Sequence, residues 1–189
     1  RFSDDVAALA KAEESSVSMS YTALDVDRLA RRSVAAVRER YDSKGVSLHL
    51  QVDPGLPPLW ADEQRLGQVL GNLLENALRH TPSGGTVEIS ATNKGTRLRL
   101  EVRDDGEGIT TEHLPQLFER FYRADTARDR DHGGAGLGLA IAKALVEAHG
   151  GNIAARSAGP GTGAIFVVDL PWGLTRNGEV HVSTGSALT

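Results

Sequence analysis

The chain contains no cysteine. Disulfides, thiolate zinc sites and cysteine nucleophiles are therefore excluded. It also lacks an excess of positive charge. Lys and Arg total 21 against 25 Asp and Glu, for a net charge of −4 and a pI near 5.9. A general nucleic-acid coat needs the opposite balance, so no nucleic-acid partner is expected. No apolar run approaches the roughly 20 residues of a membrane span, and no signal peptide opens the chain. There is no Gly-Lys-Ser/Thr and hence no Walker phosphate loop. The 6 histidines show no metal-ligand spacing, and no serine sits in a Gly-x-Ser-x-Gly elbow. Gly159, Gly161 and Ala164 fit the loosest dinucleotide fingerprint but run into a strand pattern, not a helix, and that match fails. What remains is an ordinary globular composition, 40% hydrophobic and 24% charged, which rules out wholesale disorder. Its 189 residues suit one domain with something extra. Arg1 is not an initiator Met, and the chain reads as a piece of something longer.

Periodicity divides the chain. Asp4 to Glu14 reads as the end of a helix, with Val6, Leu9 and Ala10 on one face, and a Ser-rich stretch to Thr22 breaks it. Asp25 is suited to cap a helix running to about Tyr41. Val46, Leu48, Leu50 and Val52 alternate as a strand, which Pro54, Gly55, Pro57 and Pro58 end. Asp62 opens the clearest helix, with Leu66, Val69, Leu70, Leu73 and Ala77 as its apolar stripe, and Pro82 to Gly85 stop it. Val87 to Ala91 and Leu98 to Val102 alternate around Asn93-Lys94-Gly95-Thr96 as a hairpin. Leu114 to Tyr122 reads as a short helix and Ala124 to Gly134 as a mobile loop. Leu137 to His149 is helical with Gly150 at its end. Asn152 to Arg156 and Ile165 to Leu170 are strand patterns, and the tail after Pro171 has little periodicity.

Three features carry chemistry. On the helix opened by Asp62, Gln68, Asn72, Asn76 and Arg79 form a polar strip opposite the apolar stripe. It is either a solvated face or a set of amide oxygens suited to a hard cation such as Mg²⁺, which takes few protein ligands. Two Asn four residues apart are costly helix formers, at about half a kcal/mol each relative to Ala. Asp104-Asp105-Gly106-Glu107-Gly108-Ile109 follows a strand directly. It is either a surface turn or a place where backbone approaches a ligand, with a carboxylate at the strand end able to accept from an exocyclic amine such as that of adenine. Gly133-Gly134-Ala135-Gly136-Leu137-Gly138-Leu139 runs into a helix, an arrangement whose N–H groups suit phosphate.

Taken in order, these motifs resemble the catalytic ATP-binding domain of sensor histidine kinases, in the superfamily shared with gyrase, a chaperone and mismatch-repair ATPases. Gln68 to Pro82 resembles the N box and Asp104 to Ile109 the first glycine box. Leu117 to Arg123 is similar to the F box, Gly134 to Leu139 to the second glycine box, and Gly159-Pro160-Gly161-Thr162 to the last glycine turn. The resemblance implies an α/β two-layer sandwich of Bergerat type, a mixed β-sheet backed by helices, with ATP under a flexible lid. It implies a protein-histidine kinase that transfers the γ-phosphate of Mg-ATP to a His on a separate dimerisation domain, for relay to a response regulator. By the same resemblance Asn76 is the Mg²⁺ ligand, and Asp104 accepts the adenine amine. Asn72 and Arg79 line the phosphates, His80 stacks on the nucleotide, and Gly136 and Gly138 wrap the phosphates. Arg123 reaches the γ-phosphate and is, with Asn72, a catalytic group. Gly106, Gly108, Ile109, Gly134, Leu137, Leu139 and Thr162 complete the implied nucleotide contacts.

The implied organisation is the end of a dimerisation helix and linker in residues 1–22, the ATP-binding domain in 23–172, and a tail in 173–189 expected to lack regular structure. The full-length protein is implied to be a homodimer whose catalytic part is cytoplasmic, in a membrane-anchored sensor. The sequence departs from the family pattern in places. Asp105 stands where Asn is usual, His80 stands where an aromatic often stacks, and the lid from Ala124 to Gly133 is short and charged. No His is followed by Glu, as a phosphoacceptor His normally is, so the acceptor is expected upstream of Arg1. The alternatives are a clamp-type ATPase or a serine-kinase switch protein of the same superfamily. Both place a water- or hydroxyl-activating Glu four residues before the Mg²⁺-binding Asn, and here that position is Asn72.

Overall fold

The computed structural model describes residues 19–122, 136–173, 175–176 and 179–180. In chain order the elements are β1 (Thr22–Leu24), α1 (Val26–Lys44), β2 (Ser47–Val52), β3 (Leu59–Ala61) and α2 (Glu63–His80). There follow β4 (Thr86–Asn93), β5 (Arg97–Asp104), a 3₁₀ turn at Leu114–Gln116, α3 (Gly138–Ala148), β6 (Asn152–Arg156) and β7 (Ala164–Pro171). Two further short strands, β8 (Thr175–Arg176) and β9 (Glu179–Val180), pair with each other in the stretch expected to lack regular structure. The segments 1–18 and 123–135, which include the expected first helix, the lid, Arg123 and Gly134, lie outside the described residues.

Five strands form one mixed sheet in the order β2-β4-β5-β7-β6. Only β2 and β4 are parallel, and the other neighbours are antiparallel. Alternation decides which face is buried. Val87, Ile89 and Ala91 of β4, Leu98, Leu100 and Val102 of β5, and Phe166, Val168 and Leu170 of β7 all turn into the core. The apolar sides of α1, α2 and α3 meet them there, through Leu66, Val69, Leu70, Leu73, Ala77, Ile141 and Leu145 among others. The other face carries polar side chains, including the paired bonds from Arg99 Nε and Nη2 to Asp169 at 2.8 and 2.9 Å. The expected two-layer sandwich is therefore present.

Both long helices begin as their sequence implies. Asp25 accepts the Arg28 N–H at 3.1 Å and Asp62 the Arg65 N–H at 3.0 Å, each satisfying a donor that a helix start leaves unpaired. Helix α2 ends against α1, where Lys44 Nζ donates to the Leu78 and Arg79 carbonyls and the Tyr41 hydroxyl donates to Leu74 O at 2.7 Å. A cation among terminal carbonyls also complements the helix dipole.

Two expectations need correction. The short helix expected over Leu114 to Tyr122 is only the 3₁₀ turn at Leu114–Gln116, and Phe121, at φ 60°, bars a right-handed helix from running on to Tyr122. Strands β1 and β3 were not expected at all. Each has three residues, too few to show a period. They exist because they pair with each other, Thr22 opposite Ala61 and Leu24 opposite Leu59.

A polar junction, buried at Asp62 and His149, ties Ser20 and Tyr21 to two helices. The Ser20 N–H donates to Asp62 Oδ2 at 2.9 Å, and the Tyr21 hydroxyl donates to Ala148 O at 3.0 Å. The Asp62 N–H donates to His149 Nε2 at 3.1 Å, so Nδ1 carries the proton and donates to Leu145 O at 2.7 Å. Burial holds the His149 pKa below its ordinary value.

Candidate functional site

The site lies at one end of the sheet, where β5 stops. Leu98, Leu100, Val102 and Asp104 are successive inward positions of one strand, and the last of the four is a carboxylate. Asp104 is 5% exposed. Its Oδ1 accepts the Gly106 N–H at 3.0 Å and the Ala164 N–H at 3.2 Å. Its Oδ2 receives no hydrogen bond from a described residue. Burial pushes the Asp104 pKa up, while the two backbone N–H groups and the nearby His80 oppose that shift. An acidic side chain with one oxygen fixed and the other unspent suits a single amine donor.

The loop after Asp104 is pressed against α2. The Glu107 N–H donates to His80 O at 3.0 Å, and the His80 ring Nδ1 lies 3.2 Å from Glu107 Oε2. Gly106 has no room for a side chain, since a Cβ would sit 2.2 Å from His80 O. Gly108, at φ 71°, is crowded from the other side, where a Cβ would come within 2.1 Å of Gly159 O. The first glycine box is thus wedged between the end of α2 and the last glycine turn. Asp105, the departure from the family pattern, holds the start of β4 through its Oδ1, which accepts the Thr86 N–H at 2.8 Å.

Helix α2 supplies Asn72, Asn76, Arg79 and His80, all half-buried and clear of its buried stripe. Asn72 Nδ2 donates to Gly138 O at 2.9 Å, which fastens α2 to the first turn of α3. The Asn76 amide makes no hydrogen bond to a described residue. Glu75 leaves this face and pairs with Arg40 on α1. At the start of α3, Gly136 takes φ 70°, and Leu137 is 1% exposed within the core. The Leu137 side chain therefore packs in the core. Leu139 and Ile109 likewise pack against the core, both half-buried. Thr162 Oγ1 donates to Gly159 O at 2.7 Å and closes the last glycine turn. From the F box, Phe118 meets Phe166 edge-on at a ring separation of 6.3 Å.

The fold therefore brings His80, Asp104, Gly106, Gly108 and the Gly159–Thr162 turn together, and separately joins Asn72 to Gly138. Arg79 and Asn76 make no bond to the other named residues, and Arg123 and Gly134 lie outside the described residues. Among the described residues, no cluster of three His, Asp or Glu could hold a metal alone. A groove of about 510 Å³ between α1 and α2, lined by Leu29, Ser33, Val37, Gly67 and Gly71, contains none of these residues. Sequence reasoning passed over Ser157, whose hydroxyl bonds to Ile109, Gly159 and Gly163. A lone serine after a strand carries no signal of that role.

The family described as histidine kinase-, DNA gyrase B-, and HSP90-like ATPase matches residues 61–174. The signal transduction histidine-protein kinase BaeS of Escherichia coli is 39% identical over 168 residues, covering 89% of this chain and 36% of that protein. Sensor histidine kinase YkoH of Bacillus subtilis is 37% identical over 170 residues, covering 90% of this chain and 36% of its own length. The chain thus spans little more than a third of either relative. Among solved structures, full-length ShkA in complex with AMPPNP superposes with a TM-score of 0.80 at 32% identity, covering 91% of this chain and 35% of that one.

Proposed function

The chain belongs to the family of histidine kinase-, DNA gyrase B- and HSP90-like ATPases, and on that premise we propose that residues 23–172 are the ATP-binding catalytic domain of a sensor histidine kinase. The observation that carries this reading is Asp104, a buried carboxylate at a strand end with one oxygen held by backbone and the other unspent. That arrangement matches the adenine amine. The glycine turn beginning α3 is suited to the phosphates, since N–H groups at a helix start favour anions.

A magnesium ion fits the donor set. Asn76 offers a neutral amide oxygen bound to no described residue, and without an acidic cluster a cation would depend chiefly on nucleotide phosphates and water. When bound, it would neutralise charge on the phosphates. The chain's own residues orient: Asp104 the base, Asn76 the cation, and the second glycine box the phosphates. Phosphoryl transfer needs positioning more than covalent chemistry from the protein. The P–O bond to ADP breaks, and a P–N bond forms to a His on the dimerisation domain.

The rival clamp-ATPase reading lacks its base. Asn72 is a neutral amide donating to Gly138, and Glu75 is paired with Arg40. The whole protein is proposed to be a homodimer that relays phosphate to a response regulator, its catalytic part cytoplasmic and its sensor membrane-anchored. Among the described residues no helix is long and apolar enough to cross a membrane.

Calorimetric titration tests the core of the proposal. ATP with Mg²⁺ should bind the wild-type chain, chelation of Mg²⁺ should weaken binding, and Asp104→Ala should weaken it by about 1–3 kcal/mol. Equal affinity in wild type and variant would overturn the assignment.

A further inference from the structure

The first glycine box and the last glycine turn come from distant parts of the chain and touch along one edge of the site. The Gly161 N–H donates to Glu107 O at 2.6 Å, and the Gly163 N–H donates to Gly106 O at 3.1 Å. Beyond the last pair of the β5–β7 ladder, Asp104 opposite Ala164, the two loops are joined by these backbone bonds, by the Asp104 carboxylate between Gly106 and Ala164, and by one further side chain. That side chain is Ser157, immediately after β6.

Its hydroxyl is fully employed. Oγ accepts the Ile109 N–H at 3.0 Å and the Gly159 N–H at 3.3 Å. It donates to Gly163 O at 2.6 Å, the shortest of the bonds open to its single proton, with Gly159 O and Thr162 Oγ1 farther away at 3.3 and 3.4 Å. A serine hydroxyl has one proton and two lone pairs, and all three are spent here on backbone of the two segments. No other side chain at this edge could replace it. The Thr162 hydroxyl is committed within its own turn, and Asp104 reaches only Gly106 and Ala164.

We propose that Ser157 is the positioning residue for base recognition: its hydroxyl locks the last glycine turn to the first glycine box, and so fixes the loop that follows Asp104 and borders the place where the adenine amine meets that carboxylate. The inference rests on the nucleotide-binding reading above and adds to it the element that sets its specificity. Ser157 does not touch the nucleotide in this account. Removing the hydroxyl frees the Ile109 and Gly159 N–H groups and lets the loop move relative to Asp104. The effect falls on discrimination between bases. The phosphate end is held by a different bond, that between Asn72 and Gly138.

The test compares wild type, Ser157→Ala and Ser157→Thr in calorimetric titration with ATP, GTP and tripolyphosphate, with thermal unfolding measured in parallel. Ser157→Ala should lose about tenfold or more in ATP affinity, the cost of partly buried donors left unpaired and of a loop no longer fixed, while tripolyphosphate changes by less than about twofold. The ATP preference over GTP should shrink accordingly, and Ser157→Thr, which keeps the hydroxyl, should restore it. Hydrogen exchange at the Ile109 and Gly159 amides gives a second reading on folded protein and should accelerate in Ser157→Ala only. Unchanged ATP affinity in Ser157→Ala overturns the proposal. So does an equal loss for ATP and tripolyphosphate, or failure of Ser157→Thr to restore the preference. A wild-type chain that binds no ATP overturns the nucleotide-binding reading itself. Tight ATP binding with an inert Ser157→Ala overturns only the positioning role.

Discussion

Asp104 and His149 are both buried titratable groups, and they bias stability in opposite directions with pH. Burial raises the Asp104 pKa above 3.8, so the native state holds more protons than the unfolded chain just above that pH. Stability contributed by Asp104 is then lost as pH rises through its native pKa, and an ionised Asp104 is a standing cost at neutral pH. Asp104→Asn keeps an Oδ1 acceptor and removes the charge. The expected outcome is a higher unfolding temperature together with about tenfold weaker ATP binding, since an amide NH₂ now faces the adenine amine. Thermal unfolding and titration of one sample check both halves. Burial lowers the His149 pKa below 6.5. Here the unfolded chain binds the extra proton, so stability is whole above pH 6.5 and declines as pH falls through that value toward the native pKa. Urea unfolding at several pH values should show this slope, reduced in His149→Ala.

At the scale of elements, α2 holds the arrangement together. Its start is fixed by Asp62, its end by Lys44 and Tyr41, and its polar side reaches both glycine boxes. Asp62→Ala removes the acceptor for Arg65 N–H and also for Ser20 N–H. A loss of about 1–2 kcal/mol is expected, readable as a shift of the urea midpoint. The loops at the site are less forgiving than the helix. Gly108→Ala would force a Cβ against Gly159 O at φ 71°, separating the glycine box from the glycine turn. ATP titration should show binding lost, while circular dichroism retains the helical signal of α1 to α3.

For the molecule as a whole, binding and turnover should separate. The chain is expected to bind ATP yet neither label itself nor hydrolyse ATP quickly. None of its 6 histidines precedes a Glu, and Asn72 offers no general base, a group typically worth about 10²–10⁴-fold. Supplied with a separate domain bearing an acceptor His, it should label that His from radioactive ATP, weakly if alignment is lost. Robust turnover by the chain alone, abolished in Asn76→Ala and indifferent to any acceptor domain, would move it to the clamp-ATPase branch.

Strong local patterns made much of this legible beforehand. Leu66, Val69, Leu70, Leu73 and Ala77 announce α2 because helical period and burial agree over eighteen residues. Alternation along Leu98, Leu100 and Val102 announces β5, and it also carries Asp104 onto the inward face, because side chains in a strand repeat every two residues. The glycine boxes were readable as boxes, since few residues other than Gly tolerate such turns. What only the tertiary structure decided were the contacts made at a distance. Three-residue strands such as β1 and β3 carry no period and exist through their partner. The helix suggested over Leu114 to Tyr122 yields to a backbone turn at Phe121. The spent donor of Asn72, the junction of Tyr21, Asp62 and His149, and the hydroxyl of Ser157 each depend on groups dozens of residues away. Periodicity records which face of an element is buried, and it is silent on which polar atom meets which across the fold.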